Sequence, residues 1–389
     1  MKVAYVTIKD ARNLGRDTEW SGTGYYIARS LARQGIEIDY LGPLADSLSS
    51  RIVRSSKRLF YQKLQHKLYL KDTDPFILKN LADCVSQKLA AKKYDLVLSA
   101  TVNPIAYLEC DLPIVFWADA TFVNTAEFYP EYSNLCAETV ENGHKMERKA
   151  LERCKFAVYS SEWAAKAAIN YYQGDSSKVR ILNFGANLDS QKSLAEIEAL
   201  IKARPKDKCR LLFLGKDWLR KGGNKAFEVA KALNKSGLRT ELTVVGCQPN
   251  NIEEPIPEYV KSLGFISKFS SQGREKLIDL IANSHFLILP TTADCSPIVL
   301  SEACSLGVPC ISTSIGGIPS IVKNGTNGQL FSLDSTIENY VKYILNLFYE
   351  YTNYQSLALS SFEEYCLRLN WKTAGKELNL ILKQAAKSK

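Results

Sequence analysis

A chain of 389 residues is longer than one ordinary domain, so two domains are expected. Its apolar fraction of 46% and charged fraction of 23% are those of a globular protein and exclude a low-complexity chain. No run reaches the roughly 18–20 apolar residues that span a bilayer. The opening MKVAYVTIKDARN lacks the apolar core of a secretory leader. The ten cysteines form no C-x-x-C pair and read as free thiols in a reducing compartment, so cytoplasm is the expected location.

The net charge of +9 is partly local. From Arg51 to Lys71 there are seven Lys or Arg, one His and no acid, interleaved with Ile52, Leu59, Phe60, Leu64 and Leu68. One reading is a surface helix with a core face and a solvated face. The other is contact with an acidic acceptor or an anionic membrane, peripheral on its inner face. No nucleic-acid-binding motif occurs, and no nucleic-acid partner is expected.

Lys2 to Thr7 reads as a buried strand. The loop Trp20-Ser21-Gly22-Thr23-Gly24 leads into helical spacing from Tyr25 to Gln34, and Ile36 to Leu41 is the next strand. The loop is neither a full G-x-G-x-x-G nor a Walker loop; it is a ligand-approach loop or a tight structural turn. Asp72-Thr73-Asp74-Pro75 contains an Asp-x-Asp that could hold a metal. Asp74 as N-cap and Pro75 as first helical residue explain it more simply. Tyr94 to Ser99 and Ile114 to Trp117 are further strands, the second feeding Asp119. A carboxylate beyond a strand's C-terminal end lies where open α/β sheets bind ligands; its other reading is a cap for the next turn. Phe156 to Tyr159 is a strand followed by Ser161 as N-cap, and Val179 to Leu182 is another strand.

The polar and charged stretch 188–207, which carries one helix-like piece (SLAEIEALIKA), reads as the linker, after which the alternation restarts. Strands are expected over Leu211 to Leu214, Glu241 to Val245, Leu287 to Leu289 and Cys310 to Ser312, with a short strand or edge at Gly264 to Ile266. Helices are expected over Asn224 to Leu233, Arg274 to Ala282 and Ala374 to Lys387. The division is 1–187, linker 188–207, 208–370, and a C-terminal helix in 371–389 returning toward the N-terminal domain. The fold class is α/β, two facing Rossmann-like domains with a cleft between them.

The loop Gly215-Lys216-Asp217-Trp218-Leu219-Arg220-Lys221-Gly222-Gly223 sets three cations between a strand and a helix. Lys, Arg, glycines and helix N-terminal amides suit phosphate oxygens. In the same half, Asp294 and Glu302 flank a mostly uncharged loop at a helix start. Cations for a diphosphate and carboxylates for vicinal hydroxyls together describe a nucleotide-sugar.

At this point the chain resembles family 4 of the glycosyltransferases, group 1 retaining enzymes of the GT-B fold. Asp294-x7-Glu302 is similar to that family's E-x7-E signature. GVPCISTSIGGIPSIVKNGTNGQLF, GKDWLRKGG and SGTGYYIARSL resemble its later glycine-rich run, its phosphate loop and its N-terminal glycine loop. The turn NFGANLD fits its interdomain crossing. The resemblance implies that Glu302 binds ribose hydroxyls, Asp294 faces the donor sugar, and Lys216 and Lys221, with Arg220 nearby, hold the diphosphate. It places the amides from Ser296 through Pro297 and Ile298 to Val299 at sugar and phosphate. Gly22, Thr23 and Gly24 would lie by phosphate and acceptor, and Asp119 would face the reacting centre. Three residues depart from the pattern. Asp294 is one methylene shorter than Glu, Pro297 removes an N–H donor, and Lys216 replaces a bidentate Arg. A histidine common among relatives near Asp119 is absent from that loop, and His285, before a buried strand, reads as structural.

The resemblance implies transfer of a hexosyl group, with retention and without metal or other cofactor, from a nucleotide-sugar to a hydroxyl acceptor. That acceptor is a glycan, a lipid-linked saccharide or a small molecule, as in polysaccharide biosynthesis. An epimerase or phosphorylase of the same fold, and a degenerate sugar-nucleotide-binding protein, are the alternatives.

Overall fold

The computed structural model describes residues 1–15, 18–190 and 192–387. Gln191, within the expected linker, and residues 388–389, within the expected C-terminal helix, lie outside them. The chain forms two compact units, Met1–Asn183 together with residues from Ala374 onward, and Phe184–Thr373.

The first unit holds six parallel strands: β1 (Lys2–Val6), β2 (Glu37–Tyr40), β3 (Leu96–Ser99), β4 (Ile114–Ala118), β5 (Phe156–Tyr159) and β6 (Val179–Ile181). Their order is β2-β1-β3-β4-β5-β6. Strands β3, β4 and β5 are buried along their whole length, as the near-continuous apolar runs of a two-sided parallel sheet require. Strand order reverses at β1, between β2 and β3, which opens a crevice at the strands' C-terminal ends.

The second unit repeats the plan with β7 (Cys209–Leu214), β8 (Thr240–Val245), β9 (Val260–Ser262), β10 (Phe286–Leu289), β11 (Cys310–Thr313) and β12 (Gly328–Phe331). Their order is β12-β11-β10-β7-β8-β9, all parallel, with the reversal between β7 and β10. The α/β class expected from sequence is the class observed. One strand is displaced: pairing with β8 falls on Val260–Ser262, and Gly264 to Ile266 lies beyond it, Gly264 turning the chain at φ +62°.

Local chemistry sets several element starts. Asp74 caps the helix Pro75–Ala90, accepting from the amides of Phe76 (2.9 Å) and Ile77 (3.3 Å), with Pro75 as first residue. Its other oxygen accepts from Lys57 Nζ (2.6 Å) and the Tyr69 hydroxyl (2.9 Å), so the carboxylate is fully used and the metal reading of Asp72-x-Asp74 is set aside. Burial alone would raise the Asp74 pKa; Lys57 and Tyr69 outweigh it and hold the pKa below the usual range. Ser161 caps the helix Glu162–Asn170 through the Ala164 amide. His285 is buried, with Nδ1 accepting from the Arg210 amide (3.0 Å) and Nε2 against the Pro205 carbonyl (3.0 Å).

The stretch 188–207 is no linker. It carries the helix Leu194–Ala203, whose Ile197 and Ile201 are buried in the second unit's core. The helix itself is expected from the sequence; its packing into the second unit's core is not. The unit boundary falls earlier, within the turn Asn183-Phe184-Gly185, where a Cβ on Gly185 would stand 2.4 Å from the Trp371 amide nitrogen. The final helix, Trp371–Lys387, begins in the second unit and belongs to the first from Ala374.

All ten cysteines are free thiols. Among the described residues no helix is long and apolar enough to cross a membrane.

Buried Arg204 ends the helix Leu194–Ala203 by donating to the carbonyls of Ala282 (3.1 Å), Gly307 (2.7 Å) and Leu306 (3.0 Å) and to the Tyr354 hydroxyl (2.7 Å). Arg204→Ala strands these acceptors and is expected to lower unfolding free energy by roughly 3 kcal/mol. The readout is a lower denaturant midpoint at unchanged slope. A change below about 0.5 kcal/mol, the size expected of a surface linker, contradicts this role.

Candidate active site

Parallel strands deliver all their following loops to one sheet edge, and in the second unit that edge gathers the loops after β7, β10 and β11. The loop 215–223 is anchored by Trp218, which is buried against Phe213 (5.2 Å between centroids) and donates Nε1–H to Asn224 Oδ1 at 2.6 Å. Gly222 has φ +79°, and a Cβ on it would lie 2.0 Å from the Pro290 carbonyl oxygen. Only glycine lets the loop after β7 rest directly on the loop after β10.

Arg220 joins the two loops. Its carbonyl accepts from Thr292 N (2.8 Å) and Thr291 Oγ1 (2.9 Å). Its guanidinium donates to the Ala293 carbonyl (2.7 Å) and pairs with Asp217 (3.3 Å). The guanidinium, expected beside the phosphate, thus also braces the two loops. The bracing brings Lys221 Nζ onto Asp294 Oδ2, as an ion pair whose side chains are only 15% and 10% exposed. Lys216 is exposed, with Nζ 5.5 Å from the Phe265 ring centroid.

Glu302 lies on the helix Ile298–Cys304 and is almost fully buried. Its Oε1 pairs with Lys268 Nζ at 3.1 Å. Lys268 escaped the sequence reading because its surroundings, GFISKFS, match no recognised pattern. Its loop is held by Arg274, which donates to the Lys268 and Phe269 carbonyls at 3.2 Å each. One signal was present: Lys268 stands just before the Ser270-capped helix Ser271–Ala282, where the helix dipole disfavours a cation.

Pro297 precedes the helix Ile298–Cys304 and supplies no amide donor, while its carbonyl accepts from Leu300 N at 3.0 Å. The first-turn amides of Ile298 and Val299 have no acceptor within the helix. The Ser296 hydroxyl oxygen is buried and makes no hydrogen bond. The second unit therefore brings Lys221, Asp294, Glu302 and residues 296–299 to one edge, with Lys268 added.

In the first unit, Trp20 (φ 45°) and Ser21 (φ 53°) take left-handed backbone before Gly22 (φ 101°), and the helix Thr23–Ala32 follows. Gly24 has a packing reason: a Cβ there would lie 2.6 Å from Glu19 Cβ, and its carbonyl accepts from the Tyr5 hydroxyl. Thr23 is buried. Asp119, beyond β4, is not the cap of the next helix; Thr121 caps Phe122–Phe128 in a reciprocal box with Asn124. Asp119 instead lines a cavity of about 330 Å³ together with Trp20, Asp72, Thr101, Asn103 and Glu147.

Glu147 in that wall accepts from the Phe122 amide (3.0 Å) and the Tyr159 hydroxyl (3.1 Å). Burial outweighs both contacts and pushes its pKa up to about 7. The folded state then binds a proton that the unfolded chain releases near about pH 4.3. Stability from this group is complete below that value and is lost as pH rises through about 7. The melting temperature is expected to fall from about pH 5 to about pH 8, and Glu147→Gln should flatten that fall. An unchanged slope in the variant contradicts the protonated assignment.

Residues 196–358 match the model of the family described as Glycosyl transferases group 1. N-acetyl-alpha-D-glucosaminyl L-malate synthase of Bacillus anthracis is 33% identical over 82 residues, 21% of this chain and 22% of that protein. D-inositol 3-phosphate glycosyltransferase of Streptomyces scabiei is 26% identical over 175 residues, 42% and 39% of the two chains. The matches thus span less than half the length of these relatives. Sucrose-phosphate synthase from Thermosynechococcus elongatus superposes with TM-score 0.70 at 15% identity, covering 100% of both chains. Anabaena HepE in complex with UDP-glucose superposes with TM-score 0.62 at 14% identity, covering 99% of this chain and 100% of that one. At such identities the structural likeness speaks for the fold, which is GT-B. Residues 196–358, within the second of its two Rossmann-like units, are thus similar to the group 1 glycosyl transferases.

Proposed function

We propose that this chain transfers a hexosyl group from a nucleotide-diphosphate sugar to a hydroxyl acceptor, with retention at the anomeric carbon and without a metal. The observation that carries the reading is the double cation–carboxylate pairing at one sheet edge, Lys221 with Asp294 and Lys268 with Glu302. A diphosphate satisfies such cations, and sugar and ribose hydroxyls satisfy such carboxylates. The amides of Ile298 and Val299 add donors at the same edge.

In this mechanism the acceptor oxygen bonds to the anomeric carbon as the bond from that carbon to the diphosphate oxygen breaks. The acceptor proton passes to the departing diphosphate on the same face, so no protein nucleophile is used. Lys221 and Lys216 stabilise the charge on the leaving group, the task a metal performs elsewhere. Asp294 orients the sugar, Glu302 holds the ribose, and the amides position the reacting centre. The acceptor binds the cavity beside Asp119, whose carboxylate, hydroxyl and amide lining suits a saccharide. The HepE complex makes UDP-glucose the first donor to test.

Lys221→Ala should lower kcat by about 10²–10³. It also leaves Asp294 buried and unpaired, so the melting temperature should fall. The double variant Lys221→Ala, Asp294→Ala should recover the melting temperature but not kcat. Recovery of turnover in the double variant, or near-normal kcat in the single one, refutes the leaving-group role.

Glu302→Gln should weaken nucleotide affinity about tenfold or more in calorimetry, because a charged acceptor is lost. Unchanged affinity would place the ribose elsewhere.

A further inference from the structure

The helix Leu48–Arg58, continued by a π turn over Leu59–Leu64, is amphipathic in the reverse sense. Its polar side faces the protein. Ser50 accepts from Asn80 Nδ2 (3.0 Å), Arg54 pairs with Asp46 (2.9 Å), Lys57 pairs with Asp74 (2.6 Å) and with Glu138, and the Tyr61 hydroxyl donates to Glu138 (2.8 Å). Its apolar side faces outward. Leu48, Ile52, Leu59 and Leu64 are 76%, 70%, 62% and 71% exposed, and Phe60 is exposed beside them. Positions 48, 52 and 59 are spaced by four and seven residues and form one stripe. An ordinary surface helix buries that stripe. Here five inward polar contacts fix the opposite orientation.

Exposed cations flank the stripe. Arg51, Arg58, Lys63 and Lys67 have no acidic partner among the described residues; Arg58 donates to Gln62 at 2.8 Å. A second copy of this chain fits the face poorly, because two-fold pairing would set these cations against one another. An apolar stripe rimmed by unpaired cations matches an acyl interior bounded by phosphate headgroups.

We propose that the outward face of Leu48–Leu64 is a docking surface for an anionic lipid bilayer. Leu48, Ile52, Leu59 and Leu64 enter the headgroup–acyl boundary. Arg51, Arg58, Lys63 and Lys67 meet the lipid phosphates. This goes beyond the transferase reading and does not depend on it, since binding is measured without donor or acceptor.

The test is co-sedimentation of the full chain with vesicles of phosphatidylglycerol and phosphatidylcholine in equal parts, and with phosphatidylcholine alone. Sedimentation is expected with the first and not the second, and should weaken as salt shortens the reach of charge. Ile52→Ser with Leu59→Ser, and Arg58→Glu with Lys63→Glu, should each reduce partitioning by about tenfold or more, each cation being worth about fivefold. Melting temperatures should be unchanged, because these side chains point outward. No sedimentation, equal sedimentation with neutral vesicles, or unaltered partitioning of both variants overturns the proposal. So does a dimer in solution that Ile52→Ser with Leu59→Ser splits, which assigns the face to a second copy.

Discussion

The contact on which the second unit's site depends is the seating of Gly222 against the Pro290 carbonyl, a closeness no side chain permits. Strand order places β7 beside β10, yet adjacent strands alone would leave their loops free. The glycine lets the loops touch, and Arg220 binds them through its carbonyl and its guanidinium. Lys221 then has little choice of direction and meets Asp294, 73 positions away in sequence. Trp218 holds the same loop from below, over a second glycine, Gly223, where a Cβ would stand 2.1 Å from the indole. Rigid support of this kind keeps charged groups where a ligand can use them.

The first unit applies the same topology to a different end. Its strand order also reverses, at β1, and the cavity containing Asp119 lies among the loops following β3 and β4. The polar groups there are fixed by neutral contacts more than by ion pairs. Glu147 is the clearest case, since a carboxyl held by one amide and one phenol, with no cation beside it, keeps its proton near neutrality. One sheet edge presents paired charges; the other presents a cavity with a carboxyl of raised pKa in its wall.

Much of this was legible in the sequence because it is local. Apolar runs such as Ile114 to Trp117 and Phe156 to Tyr159 announce buried parallel strands, and Asp74-Pro75 announces its own helix start. Glycine-rich loops between strand and helix mark the sheet edge where the candidate residues gather. What remained hidden depends on long-range partners. The tie of Arg220 to Ala293, the meeting of Lys268 with Glu302 and the work of Arg204 across the second core each join residues tens of positions apart. The direction of Leu48–Leu64 was hidden for the same reason. Periodicity shows that a helix has two sides, but only Asp46, Asp74 and Glu138 decide which side turns inward.

The two ion pairs of the second unit also make the site its own competitor. Lys221 and Asp294 are each other's ligand, as are Lys268 and Glu302, so an entering molecule must displace a partner that is already well placed. A bare phosphate can claim Lys221 but abandons a nearly buried Asp294. A free sugar can claim Asp294 but abandons Lys221. Either exchange leaves a desolvated charge uncompensated, at a cost of several kcal/mol. A molecule carrying both diphosphate and hydroxyls replaces both halves at once and leaves nothing stranded. Under the proposed function, discrimination against fragments of the donor follows from these two pairs as they stand and needs no separate gate.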